Sequence, residues 1–435
     1  MNTNENNNIK KEKISSQELA EAFTGVKAKD DRVKPKSETK DDKQKHSTSE
    51  QGKKQFLICT ILGCVGLVAG VAMLVAGFII KPATKDKEAY PDLQINEPSE
   101  GTYSALTGER LADGANVNAP AYCIQTPNGT DGARPQAGLT QAGVIFEAIA
   151  ESGITRFAAV YQNPSSAVIG PIRSLRIYYL QWDTPFDCTI VHAGGSGDAL
   201  AAVANGYKDL SEDYSYMYRG TYGGRLWNNL FTTAADLEKY SSDHNYTSSN
   251  IKGFARLKPE ESERARIDAL VAEKLNITKP AKGDTSELKP AVTNISLNLG
   301  GWADFNVKYQ YDTASDKYLR SYGSGVAHEV YNCPNENLGE RNPEDVYSLV
   351  QMAPSVVVAM VVNERRASDN YHEDIDVIGT GDAYVFQNGT AVKGTWKKSS
   401  KDEQIAFLDG DGSEIRLAPG QTFVTAVPSY GSIDF

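Results

Sequence analysis

The sequence predicts an α+β protein assembled in series: a disordered N-terminal tail, one transmembrane helix, an α/β ectodomain and a mainly antiparallel β domain. Three observations predict this order. Residues 56–80 carry no charge, residues 143–237 alternate strand-like and helix-like patterns, and residues 292–435 show the two-residue alternation of antiparallel strands. A chain of 435 residues, 40% of them hydrophobic, is long enough for two or three domains.

Residues 1–55 form the predicted tail. They are rich in Lys, Glu, Asp, Asn and Ser and contain one aromatic residue, Phe23. Such a composition buries too little apolar surface to offset the loss of chain entropy, so we expect the tail to be disordered.

Residues 56–80 are long enough to cross a bilayer as a helix, which predicts a single-pass cell membrane protein. Lys53 and Lys54 precede this run, so the positive-inside rule predicts a cytoplasmic N-terminus and extracellular C-terminal domains. A lipid anchor is the alternative. The sequence ILGC at residues 61–64 resembles a bacterial lipobox, in which Cys64 would be lipidated.

Residues 81–100 contain prolines and charges and are predicted to form a stalk. Residues 101–277 are predicted to form the α/β extracytoplasmic domain. Its strand-like runs are GVIFEAIA, TRFAAVYQ and DCTIVHA, and its helix-like runs are GPIRSLRIYYLQW, GDALAAVAN and PEESERARIDALVAEKL.

Residues 278–291 read as a linker, and residues 292–435 as the mainly β extracytoplasmic domain. Within the latter, Asn388-Gly389 and Asp411-Gly412 each stand between apolar runs. Asn-Gly and Asp-Gly pairs in this setting predict tight hairpin turns.

Arg173 and Arg176 fall in the first turns of the helix predicted to begin at Gly170. The backbone dipole is positive there, and a cation typically costs about 0.3–1 kcal/mol. A negative partner is therefore expected. It is either a carboxylate of the fold, such as Glu147, Glu151 or Asp198, or a bound anion.

A glycine-rich turn follows the strand that ends at His192. In this loop, Gly194 to Gly197, the backbone N–H groups of Gly195, Ser196 and Gly197, with a helix behind them, could donate hydrogen bonds to phosphate or carboxylate. The alternative is structural: the glycines allow a tight turn, and Ser196 or Asp198 caps the helix. The spacing matches neither nucleotide-binding glycine motifs nor the GxSxG elbow of serine hydrolases.

Three cysteines lie beyond the apolar run: Cys123, Cys188 and Cys333. Three cysteines cannot form a network of several disulfides, but two of them could form one bridge. No spacing resembles a zinc site, so we expect no metal and no cofactor. The net charge of −11 argues against nucleic-acid binding.

Several blocks in the same order resemble the YerB-like bacterial envelope lipoproteins. The first-half blocks are ITRFAAVYQN, IGPIRSLRIYYLQ, VHAGGSGDAL and RLWNNLFTTAADL, and the second-half blocks include PSVVVAMV and GTGDAYVFQNGTAVKGTWKK. The resemblance covers residues 143–428. It implies an outward-facing envelope protein of Gram-positive-type bacteria, to which no reaction is assigned.

The chain departs from that family's pattern in three places. The family's Pro-His-Asn becomes Trp227, Asn228 and Asn229, and Asn228 could not act as a base. The family's His-x-Asp becomes His328 with Glu329 beside it. Members are typically lipid-anchored, whereas the apolar run here predicts a spanning helix.

Together these patterns predict a membrane-tethered binding or scaffold protein of the cell envelope. Its ligand would be an anionic cell-wall component, its membrane contact would be the one helix, and its protein partners and oligomeric state are not indicated. The alternative is a hydrolase or transferase acting on cell-wall material, with His192 as the candidate catalytic base. The candidate ligand-binding residues are Arg173, Arg176, His192, Gly194, Gly195, Ser196, Gly197 and Asn229.

Overall fold

The computed structural model describes residues 100–220, 228–272, 292–334 and 347–435. The predicted tail and transmembrane helix, nearly all of the predicted stalk and the predicted linker lie outside these residues. Within the described part of the chain, no helix is both long and apolar enough to cross a membrane.

The described residues contain many strands and four short helices. The strands of the first half are β1 (Ala121–Pro127), β2 (Val144–Glu151), β3 (Ile154–Gln162), β4 (Thr189–His192), β5 (Lys208–Ser211), β6 (Tyr218–Arg219) and β7 (Leu230–Phe231). The helices are α1 (Ile177–Asp183), α2 (Gly197–Val203), α3 (Ala234–Asp243) and α4 (Pro259–Ala272). Single 3-10 turns lie at Leu139–Gln141, Thr184–Phe186 and Ala303–Phe305.

The second half contributes only strands and the last of these turns. They are β8 (Asn294–Asn298), β9 (Val307–Asp312), β10 (Lys317–Tyr322), β11 (Glu329–Asn332), β12 (Ser348–Gln351), β13 (Val356–Val362), β14 (Glu364–Arg366), β15 (Glu373–Ile375), β16 (Gly379–Gln387), β17 (Thr390–Lys398), β18 (Ala406–Leu408), β19 (Thr422–Pro428) and β20 (Ser432–Asp434). Gln387 pairs with Thr390 across Asn388-Gly389, which confirms the hairpin predicted there.

One mixed sheet of ten strands runs through both halves of the chain, in the order β18-β17-β16-β13-β19-β2-β3-β1-β4-β5. Strand β19, close to the C-terminus, lies between β13 and β2 and is parallel to both. The first-half and second-half strands are therefore hydrogen-bonded to each other through β19.

The predicted fold class, an α/β domain followed by a separate β domain, is therefore wrong. The chain is mostly β with few helices, and strands from both sides of the predicted linker share one sheet. Apolar runs such as β2 and β13 resemble the strands of a parallel α/β sheet. Here they are apolar because both faces of this sheet are covered.

Helices α1 and α2 cover one face of the large sheet, where Phe146 stacks on Trp182 with ring centroids 5.1 Å apart. On the other face lies a four-stranded antiparallel sheet in the order β10-β9-β8-β20. Its buried side chains, such as Tyr309 and Tyr318, share a cluster with Phe386 of β16. Helices therefore pack on one face of the large sheet, and the four-stranded sheet packs on the other.

A buried ion pair joins the two sheets. Arg320 of β10 donates from Nη2 to both carboxylate oxygens of Glu147 of β2, at 2.9 Å each, and neither side chain is exposed. Thr155 donates to the same carboxylate at 3.0 Å. Arg320 also donates to Nδ1 of His328, whose Nε2 then donates to Gln136 at 3.1 Å. Burial and the nearby Arg320 hold the pKa of His328 well below its usual value, so this imidazole is neutral.

One disulfide connects two neighbouring strands of the large sheet. It joins Cys123 of β1 to Cys188, which directly precedes β4. The sequence allowed one bridge among three cysteines, and the structure shows that it joins Cys123 to Cys188. Cys333 is a buried free thiol.

Replacing both Cys123 and Cys188 by Ala should lower the free energy of unfolding by about 4 kcal/mol, because the bridge closes a loop of 65 residues in the unfolded chain. Urea unfolding of the full chain, with and without dithiothreitol, measures the effect. Reductant should destabilise the wild type and leave the double variant unchanged. Equal urea midpoints for oxidised and reduced wild type would contradict the assignment.

Candidate functional site

The stretch that carries Arg173 and Arg176 is not the start of a helix, contrary to the prediction. Helix α1 begins at Ile177, and Arg176 is its N-cap. Before the helix, the backbone is hydrogen-bonded to neighbouring segments of the chain. The N–H of Arg173 donates to the carbonyl of Gln125 at 2.7 Å, and the N–H of Leu175 donates to the carbonyl of Gly194 at 3.0 Å. These bonds to neighbouring segments hold the chain extended, so the expected helix-dipole cost does not arise at Arg173.

Arg176 is nevertheless paired with a negative group, and that group is internal. Its Nη2 donates to Oε2 of Glu151 at 2.7 Å, and its Nη1 donates to the carbonyl of Leu175 at 2.9 Å. Arg156 of β3 donates to the other oxygen of the same carboxylate, and to the carbonyl of Ser174 at 3.0 Å. One carboxylate thus holds two buried guanidinium groups.

Arg173 lies at a cleft of about 490 Å³ beside this cluster, and we call it the arginine cleft. Arg156 and Glu151 also line it, together with Asp131. Burial lowers the pKa of Arg173, and the charges of Glu151 and Asp131 oppose that shift. With Arg176 behind Glu151, three guanidinium groups meet two carboxylates. The charges of these five described residues sum to +1, in a chain of net charge −11.

Burial and the neighbouring Arg176 lower the pKa of Arg156 to about 10, which leaves this guanidinium charged at neutral pH. A fixed, charged guanidinium is suited to binding carboxylate or phosphate oxygens. The wall of the arginine cleft also carries an exposed aromatic ring, Tyr371, and the side chains of Asn128 and Asn228, whose amide groups donate to Thr155 and to Asp131.

Asn228, not the predicted Asn229, belongs to this cleft. Its Nδ2 donates to the carbonyl and to Oδ1 of Asp131, at 3.2 and 3.1 Å. Asn229 instead accepts from Arg219 at 2.9 Å and donates to Gly220 at 3.0 Å. Asn228 occupies the position at which the family resemblance predicts His. This difference was the one feature of the sequence that could have identified Asn228 as a residue of the cleft.

The glycine-rich turn does not line the arginine cleft. The N–H of Ser196 donates to the carbonyl of Leu175 at 3.1 Å, and the carbonyl of Gly194 accepts from the N–H of Leu175. Gly195 pairs with Leu175 as an isolated bridge. Helix α2, which follows, has only seven residues. The turn therefore fixes Leu175, the neighbour of Arg176, in place.

His192 is buried, with 1% of its side chain exposed. Its Nε2 lies 2.9 Å from Oδ1 of Asp209, and its Nδ1 lies 2.8 Å from the carbonyl of Gly194. Both ring nitrogens are bound internally. A general base must reach the proton it removes, and this geometry offers no nitrogen to a ligand.

A second cleft, of about 520 Å³, lies on the other side of the turn between β2 and β3, and we call it the tryptophan cleft. Ser152 lines both clefts. Trp302 is 68% exposed at its edge, and Nε1 of this residue donates to the carbonyl of Ser152 at 3.0 Å. Tyr430 donates to Glu364 at 3.0 Å, and burial raises the pKa of Glu364 to about 7.

The sequence reasoning missed most of these residues. Arg156 carried one signal, because it is a charge in an otherwise apolar strand. Glu151 was considered only as an internal partner, and Trp302 follows Gly300-Gly301 with no motif around it.

Comparison with known proteins gives a consistent result for both halves. Residues 106–247 match the N-terminal domain, and residues 297–424 the C-terminal domain, of the family described as protein of unknown function DUF3048. The chain is 26% identical to "Putative lipoprotein YerB" of Bacillus subtilis (strain 168), over 81% of this chain and 92% of that protein. The crystal structure of YerB from Bacillus subtilis matches with a TM-score of 0.59 at 20% identity, over 77% of this chain and 100% of that one. The resemblance read from the sequence is confirmed: this chain belongs to the YerB-like family, with both DUF3048 domains.

Proposed function

We propose that the chain is a membrane-anchored protein on the extracytoplasmic side of the cell envelope, and that it binds an anionic cell-wall component in the arginine cleft. The observation that carries this proposal is that Arg156 and Arg173 line one cleft, while Arg176 is paired with the Glu151 carboxylate of its wall. Among the described residues that line the cleft, two are carboxylates, Glu151 and Asp131.

The extracytoplasmic location has two supports. The disulfide between Cys123 and Cys188 is typical of proteins in an oxidising compartment. The relative from Bacillus subtilis is named a putative lipoprotein, and a lipid anchor of that kind would hold this chain at a membrane.

The proposed preference for an anion rests on the different roles of the three arginines. Arg176 and Arg156 are both held by Glu151, and this arrangement fixes the geometry of the cleft wall. Arg173 lies at the cleft surface, where its planar guanidinium can pair with carboxylate or phosphate oxygens. Tyr371, which is exposed, lines the cleft beside it.

The geometry does not support the alternative, a cell-wall hydrolase or transferase with His192 as its base. Both ring nitrogens of His192 are bound to groups inside the fold. The function proposed for this site is therefore binding.

Replacing Arg173 by Ala should abolish stabilisation by phosphate. Saturating phosphate should raise the melting temperature of the wild-type full chain by about 2 °C or more, because the ligand binds only the folded state. In R173A the shift should disappear. The matched control is Arg219→Ala, which removes an exposed guanidinium paired with Glu212 outside the cleft. Loss of the phosphate effect in both variants, or in neither, would refute the assignment.

Removing Arg176 should have a different consequence. Arg176→Ala deprives a buried carboxylate of one of its two partners and should lower the free energy of unfolding by about 3 kcal/mol in phosphate-free buffer. Arg173→Ala should cost less than Arg176→Ala, because the side chain of Arg173 is only partly buried whereas that of Arg176 is buried. Urea unfolding of both variants measures the difference, and equal losses would show that the two arginines do not divide their roles in this way.

The location can be tested through the disulfide. Cells expressing the full chain are treated with N-ethylmaleimide before lysis, and the digested protein is examined by mass spectrometry. We expect a peptide pair joined through Cys123 and Cys188. Alkylated Cys123 or Cys188 in most of the protein would indicate a reducing compartment and contradict the proposed location.

A further inference from the structure

Exposed aromatic side chains are concentrated around the turn between β2 and β3. Among the described residues, five aromatic side chains are at least half exposed: Tyr214, Trp302, Tyr371, Tyr430 and Phe435. Trp302 and Tyr430 line the tryptophan cleft, and Tyr371 lines the arginine cleft. Clustered exposed apolar surface beside a cleft is typical of a contact surface for a ligand.

The ring of Trp302 is held in place rather than free to rotate. Its Nε1 donates to the carbonyl of Ser152 at 3.0 Å. The ring lies over Gly153, where a Cβ atom would come within 3.1 Å of Cδ1 and where φ is +78°. The turn therefore supports the ring, while 68% of the side chain stays exposed.

Charged groups stand beside this ring. Glu364 accepts from the hydroxyl of Tyr430, and the carboxylate of Glu373 lies 3.2 Å from Nε of Arg366. All four residues line the tryptophan cleft. Carboxylate acceptors and a guanidinium donor next to a flat apolar face suit a ligand with one apolar face and many hydroxyl groups. Pyranose rings have this chemistry.

The two clefts share Ser152, so a ligand chain that passes over the turn would contact both. Tyr371 is brought to this junction because its neighbour His372 pairs with Glu151 as an isolated bridge. An anionic group in the arginine cleft and a sugar ring in the tryptophan cleft would then belong to one polymer.

We propose that the tryptophan cleft is a saccharide subsite for an amino-sugar glycan of the cell wall, with a pyranose ring stacked on Trp302. This inference rests on the proposed function for the class of polymer, because the arginine cleft would take that polymer's acidic groups.

The test uses the full chain and two separate probes: the uncharged tetrasaccharide of β-1,4-linked N-acetylglucosamine, and inorganic phosphate. Calorimetric titration should detect tetrasaccharide binding to the wild type. Trp302→Ala should weaken that binding by about tenfold or more, because the stacked ring is lost, and should leave stabilisation by phosphate unchanged.

Two matched variants separate stacking from other effects. Trp302→Phe also loses the hydrogen bond to Ser152 but keeps an aromatic face, and it should retain most of the affinity. Tyr214→Ala removes an aromatic side chain of similar exposure, 60% against 68% for Trp302, outside both clefts, and it should leave tetrasaccharide binding unchanged.

The outcomes distinguish this subsite from the proposed function. If phosphate stabilises the chain but the tetrasaccharide does not bind, or binds equally well to Trp302→Ala, the saccharide subsite is refuted and the anion site stands. If the tetrasaccharide binds through Trp302 but phosphate has no effect, the anion site is refuted and the saccharide subsite stands.

Discussion

The buried pair between Glu147 and Arg320 is the interaction on which the rest of the structure depends. It joins a strand of the first half to a strand of the second, with both side chains fully buried. Withdrawing two charges from water costs several kcal/mol per ion, and only good geometry with further hydrogen bonds offsets that cost. Nη2 of Arg320 contacts both oxygens of Glu147, and Thr155 and His328 complete the network. Neither half can satisfy its own buried charge alone.

The same strand connects this core pair to the candidate site. Strand β2 carries Glu147 in the interior and ends at Glu151, which holds Arg156 and Arg176. Strand β19 pairs along β2 from Val144 to Glu147 and so anchors it to the second half. The position of the arginine cleft is therefore set by strand pairing contributed from near the C-terminus. The tryptophan cleft depends on both halves as well, because Trp302 bonds to Ser152 at the end of β2.

The sequence predicted local features better than long-range ones. The Asn388-Gly389 hairpin was predicted correctly because Asn and Gly accept the backbone angles of the turn without help from distant residues. The placement of β19 between β13 and β2 could not be predicted, because an apolar run does not specify its partner or its direction. For Arg176, the alternative of an internal carboxylate was correct and Glu151 was among the named partners. The helix start was wrong because Arg173 and Leu175 bond laterally to neighbouring segments.

The central claim is that the two sequence domains form one cooperative body and that the clefts exist only within it. Native-state hydrogen exchange of the full chain in increasing urea tests this claim most directly, by comparing the slowest amides of β2 with those of β16. These strands lie on opposite sides of β19 in the same sheet. We expect both sets to exchange with the same opening free energy, equal to that of global unfolding. A much smaller opening free energy for the β16 amides, independent of β2, would show that the halves unfold separately and would contradict the account.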